Sequence, residues 1–382
     1  MKIAAWGWSA VVVAAASFLV SFPNAVAQTD VRVQDKNATR PRLIFACDRQ
    51  TADLDALITP ELISDLKELD AGIALSTEDL SPARAQIVRK LNAAGVAMTA
   101  WIALPKEQGY YVNASNAPQT AARFAEFDKW TTDNRLRWEA VGLDIEPTLN
   151  EYKALTDHKG QLLWLALRRA FDSGRVTRSR EAYTALIQQI RARGYRVQTY
   201  QLTFLADERG AHTTLLERIF GLVDVRGDEE VFMLYSSFNH EIGAATIWQY
   251  GPDAQVVAVG STASSGDAAM DARYPPLNWE EFSRDLIVAH HFSPTVGVYS
   301  LEGCVRQGFM PKLKAMDWTQ EVVIPGAAVK KGMQVRHGVQ AILWLASHLL
   351  YFVVVFLLVF AWLVRVIVRW RRRKREARIA AA

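Results

Sequence analysis

Between residues 40 and 320, short runs of β-branched and apolar residues alternate with longer stretches whose apolar positions recur at helical spacing. Eight runs have strand character: residues 42–47, 72–75, 96–104, 140–145, 196–202, 231–235, 255–261 and 295–301. Between them, 81–94, 118–134, 161–171 with 180–193, 213–221 and 279–290 read as amphipathic helices. Strand followed by helix, eight times over, predicts an α/β fold with a parallel sheet closed into a (β/α)8 TIM barrel spanning 40–320. The alternative, a doubly wound open sheet, asks for fewer strands and usually a glycine-rich first turn. Here the first strand runs into Ala46-Cys47-Asp48-Arg49, without a glycine.

The ends of the chain follow other patterns. Lys2, a long apolar run and the small-residue sequence Ala25-Val26-Ala27 form the three parts of an export signal over 1–27; an uncleaved anchor is the alternative. Residues 28–39 and 321–339 read as linkers. The run 341–364 contains no charged residue, so 340–364 is assigned as a single transmembrane helix. At about 1.5 Å per residue it reaches about 36 Å, enough for a hydrocarbon core of about 30 Å.

Charge changes the picture only at the C-terminus. Residues 365–382 hold eight basic residues against Glu376, a net +7; with +4 for the whole chain, residues 1–364 carry −3. The basic tail is therefore expected in the cytoplasm, against anionic lipid, with the barrel on the far side of a bacterial inner membrane. A basic run abutting a membrane span does not argue for nucleic acid. Cys47 ends the first strand and Cys304 follows the eighth, which are neighbours if the barrel closes. A disulfide across that seam is one expectation for an oxidising compartment, and two unrelated buried thiols are the other. No HExxH, GxSxG, P-loop or dinucleotide fingerprint occurs, and neither a cofactor nor a metal is expected.

Barrel enzymes work at the C-terminal ends of their strands. The fourth strand ends Val141-Gly142-Leu143-Asp144-Ile145-Glu146-Pro147. Pleating puts Gly142, Asp144 and Glu146 on one face and the apolar residues on the other, so the two acids point into the mouth, roughly 6–7 Å apart. Acids so placed disfavour joint ionisation, which suits a general acid. A solvated strand end, or acids paired with arginine, is the plainer reading. The third strand and its loop bring Trp101, Tyr110, Tyr111 and Asn113, whose flat faces and amide suit stacking on sugar rings, although ordinary loop packing would use the same residues. Tyr200 and Gln201 end the fifth strand, and Glu302 follows the eighth with ambiguous facing. Asp48, Glu78 and Asp79 are weaker candidates, with helix capping as the other reading.

The fourth-strand segment resembles the DxxDxDxE signature of family 18 glycoside hydrolases. Glu146 and Asp144 match its last two acids; Gly142 stands where the second Asp would be, and Glu139 where the first would be. The resemblance implies Glu146 as the acid that protonates the glycosidic oxygen. Asp144 would orient a 2-acetamido group acting as nucleophile, and Tyr235, in Met233-Leu234-Tyr235, would be a nearby hydrogen-bond donor. Glu146-Pro147 also resembles the Asn-Glu-Pro acid/base of the large retaining-glycosidase clan, but the seventh strand offers no nucleophilic Glu. The sequence thus points to a tethered glycosidase acting on a polysaccharide. A non-catalytic barrel that binds glycan or scaffolds an envelope complex is the alternative.

Overall fold

The computed structural model describes residues 29–34, 39–148, 168–263 and 268–380; the expected export signal and part of the 161–171 helix lie outside these. Eight parallel strands close into a barrel in chain order: β2 (Arg42–Cys47), β3 (Gly72–Ser76), β4 (Met98–Ile102), β5 (Ala140–Asp144), β6 (Arg196–Gln201), β7 (Glu229–Met233), β8 (Val256–Gly260) and β9 (Thr295–Tyr299). The closing pair is β2 with β9, from Arg42 opposite Thr295 to Ala46 opposite Tyr299. The fold is a TIM barrel.

Alternation along each strand separates two cores. Leu43, Phe45, Val141, Leu143, Val257 and Val298 face outward and are sealed by the surrounding helices. The other parity fills the lumen, where small residues make room for large ones. A Cβ on Gly142 would sit 2.7 Å from Cε2 of Tyr200, and one on Gly297 would sit 2.9 Å from Cβ of Ala258. Tyr200 takes that space and donates its hydroxyl to Oε1 of Gln198 at 3.0 Å. It packs with Tyr235 over Val231, Val256 and Ala258. Helix starts carry their own signals: Ser81 caps Pro82–Ala93, and Asn278 and Glu281 form a capping box on Trp279–His290.

Both segments assigned as linkers contain secondary structure among the described residues. β1 (Val31–Val33) pairs antiparallel with β10 (Val322–Ile324), so the segments flanking the barrel on either side in the sequence are joined. Strands of three residues are too short to show an alternating pattern. The helix Gly326–Ser347 then packs on the helices Phe204–Gly210 and Gly243–Tyr250. Its Arg336 reaches Asp207 at 3.0 Å and Asp253 at 2.6 Å, and lies 4.1 Å over the Tyr250 ring. Tyr250 and Gln340 also donate to Asp207, at 2.6 and 2.8 Å, so that buried carboxylate is fully engaged.

This docking shifts the apolar span. Val339 and Leu343, at the expected start of the transmembrane helix, are buried against the barrel. Among the described residues, the stretch long and apolar enough to cross a membrane is Leu349–Arg371, within the helix Leu349–Ala380.

The expected disulfide is not formed; Cys47 and Cys304 are both buried free thiols. Cys47 shares the outward parity of Leu43 and Phe45. Cys304 sits on the helix Leu301–Arg306 with its sulfur 3.5 Å from Oγ1 of Thr262, beyond the end of β8. It is turned toward the β8 side of the seam. Burial pushes its thiol up to about 12.

Candidate functional site

The acid-bearing end of β5 is clamped from both sides. Val112, in the loop after β4, donates to the Asp144 carbonyl at 2.9 Å and accepts from the Glu146 amide at 3.0 Å. On the other side, the Ile145 amide bonds the Tyr200 carbonyl at 3.0 Å. The strand geometry thus persists through Glu146, with Ile145 outward and the two acids inward, as the pleat requires. Asp144 is 5% exposed and Glu146 is 2% exposed.

Asp144 lines a cavity of about 30 Å³ together with Glu146, Trp101, Tyr111, Tyr235 and Tyr299. That is room for about two waters. Its Oδ1 is buried and has no hydrogen-bond partner among the described residues. Burial, then the neighbouring Glu146 and Asp48, holds the Asp144 carboxyl well above the usual carboxylate range. The rings of Tyr235 and Tyr299 stack with centroids 5.5 Å apart. Burial, then the nearby carboxylates, raises the pKa of both phenols, so their hydroxyls stay protonated and able to donate.

A second carboxylate group lies across the mouth. Tyr110 donates to Oδ1 of Asp48 at 2.5 Å and meets Ser76 at 3.2 Å. Glu302 approaches Nε of Arg49 at 3.6 Å, while its other oxygen is buried without a partner. Burial raises the Glu302 pKa, with Arg49 opposing.

Of the residues singled out in the sequence, Asp144, Glu146, Tyr235, Trp101, Tyr111 and Tyr200 surround the small cavity. Tyr110 and Glu302 belong to the Asp48 and Arg49 side. Two are turned elsewhere. Gln201 has the outward parity, donating to the Val225 carbonyl at 2.6 Å and accepting from Arg209 at 2.6 Å. Asn113 spends its amide inside its own loop, on the Tyr111 carbonyl and the Ser115 amide. Asp79 accepts from the amide of Ser81, the residue that caps the following helix, and from the Thr51 hydroxyl. Tyr299 was missed; an aromatic residue two positions beyond Gly297, on the glycine's face of β9, is the signal that would have found it. Among the described residues no group of His, Cys, Asp and Glu is placed to hold a metal ion.

No protein-family model matches the sequence, and no curated protein matches it. Solved structures do. The chain is similar to the PgaB (BpsB) glycoside hydrolase domain from Bordetella bronchiseptica, at 10% identity over 72% of this chain and 98% of that one, with a TM-score of 0.43. It is similar to a D-tagatose 3-epimerase-like protein, at 11% identity over 72% and 97%, with a TM-score of 0.41. The endo-beta1,6-glucanase BT3312 matches at 12% identity over 74% and 72%, with a TM-score of 0.35. Likeness at this level carries no argument about chemistry.

The buried acid makes a prediction about stability. A carboxyl whose pKa is raised by folding favours the folded state below its unfolded pKa, and this contribution is lost as pH rises through the folded value. At neutral pH the ionisable Asp144 therefore opposes folding. Asp144→Asn should be the more stable protein at pH 7, by about 1–2 kcal/mol or a few degrees in Tm. The gain should vanish near pH 4, the ordinary range of an unfolded Asp. A variant equally or less stable than the parent at pH 7 would contradict the assigned burial cost.

Proposed function

We propose that the protein is a membrane-anchored glycoside hydrolase whose barrel acts on an extracytoplasmic glycan. The observation that carries this reading is the buried Asp144–Glu146 pair, held inward at the mouth of a closed barrel, with one Asp144 oxygen left without a partner. A buried polar atom kept unsatisfied is costly and marks a place where an external group completes the bonding. The partial family 18 match supports assigning the roles. Glu146 gives its proton to the glycosidic oxygen as that bond breaks. The carbonyl oxygen of a 2-acetamido group closes on the anomeric carbon, oriented by Asp144 and by the Tyr235 hydroxyl. Water then opens this ring, with Glu146 taking the proton back. The anchor is the span Leu349–Arg371, with its basic end cytoplasmic and the barrel outside.

A second reading, a glycan-binding barrel without turnover, is favoured by the cavity of about 30 Å³ at the pair. A sugar ring enters it only if the surrounding aromatic side chains part. Tyr200 also occupies the space where a third acid would stand at Gly142. The two readings differ in one assay. The full-length protein should release reducing ends from an N-acetylated glycan, and an N-acetyl-thiazoline mimic of the cyclised intermediate should compete with it. Release that ignores the mimic would point to a protein nucleophile; glycan binding without release would establish the second reading.

A further inference from the structure

We infer that the leaving group of the substrate is a long apolar chain, so that the substrate class is a lipid-linked saccharide. This rests on the reading of Glu146 as general acid. A general acid protonates the oxygen at which the substrate parts, so the sugar lies to one side of it and the leaving group to the other. Glu146 is shared by the walls of two cavities. One is the small aromatic space around Asp144. The other, about 110 Å³, runs between the ends of β6 and β7 and the helix Gly326–Ser347. Its walls include Leu202, Phe204, Leu234, Ile242, Val335 and Val339.

The polar groups along that second cavity are largely committed to the protein. Arg336 holds Asp207 and Asp253, Gln249 donates to the Val329 carbonyl at 3.0 Å, and Thr246 donates to the Ile242 carbonyl at 3.0 Å. A second sugar placed there would find few partners for its hydroxyls. An apolar group would gain about fourfold in affinity for each methylene buried. The volume suits the first carbons of a chain; an engineered cavity of about 150 Å³ holds benzene.

A separate observation says where the rest of the chain goes. The helix that supplies Val335 and Val339 continues through backbone bonds, His348 to Trp344 and Phe352 to His348, both 3.1 Å, into the apolar span. Val339 lies ten residues before Leu349, about 15 Å along the axis. Between them Trp344 and Leu345 are 52% and 51% exposed, so the helix carries apolar surface outside the barrel just before the span begins.

The test compares octyl and methyl N-acetyl-β-glucosaminide, the octyl compound below its micelle concentration, with the full-length protein in lipid nanodiscs. The expected kcat/KM is about tenfold or more higher for octyl. The ratio should fall toward one in both Val335→Trp, which fills the cavity, and Val335→Asp, which charges it; Val335 is only half-buried. Cleavage at equal rates would overturn the inference and leave the hydrolase reading standing. Calorimetric binding to Glu146→Gln separates the other case. Octyl preference without turnover in the parent would sink the hydrolase reading and keep the apolar site, while no preference in binding would remove the site itself.

Discussion

Replacing Glu146 by Gln is expected to lower kcat for glycan cleavage by about 10²–10⁴-fold while leaving glycan affinity within a few-fold of the parent. Gln keeps the volume and the hydrogen-bonding edge but has no proton to give the leaving oxygen. Its backbone is fixed by Val112, and the wall around it is made of rings with Asp144 as the neighbouring acid, so the cavity should persist. The effect belongs in kcat because proton donation matters only as the bond breaks. It is read by measuring turnover and binding on the same variant. Full activity in the Gln protein would take Glu146 out of the mechanism; lost binding together with lost turnover would make the residue a ligand contact instead.

The second large effect is on stability, at Arg209 in the helix after β6. Its guanidinium bonds Asp224 at 2.5 and 2.7 Å, Glu230 at 2.8 Å and Gln201 at 2.6 Å. Arg209 and Asp224 are 18% exposed and Glu230 8%, so this is an interior cluster rather than a surface pair. Taking out the one cation leaves two carboxylates facing each other away from water. Arg209→Ala should therefore cost about 3–5 kcal/mol, a Tm drop on the order of 10 °C. Replacing Arg209, Asp224 and Glu230 together by apolar residues of similar size should cost less than the single change, since no charge is then stranded. An unchanged melting temperature for the single variant would show that the cluster contributes nothing. The same bonds explain why Gln201 is unavailable to a substrate: its amide is a member of this outer network.

The corrections share a cause. The linkers and the apolar span were read from composition alone, and composition does not say which apolar residues meet a partner. Ala341, Leu343 and their neighbours look like lipid-facing residues until Arg336, Gln340 and Val339 dock the preceding turns on the barrel, which moves the span to Leu349–Arg371. The segments 31–33 and 322–324 are distant in sequence and too short to show a pattern, so only their pairing makes them strands. For the cysteines, adjacency of strand ends was legible but the direction of each thiol was not.

The eight strands, their order and the inward pairing of Asp144 with Glu146 were determined by the sequence itself, because strand alternation is a local property with a period of two. What surrounds the pair was decided by closure. Tyr299 reaches Tyr235 only because β9 returns to β2, and Tyr200 fills the lumen only because Gly142, on the neighbouring strand, leaves the room. The second cavity needs the helix Gly326–Ser347 folded back over strand ends more than eighty residues earlier in the chain. Contacts of that range depend on how separate elements pack, and no periodicity in the chain records them.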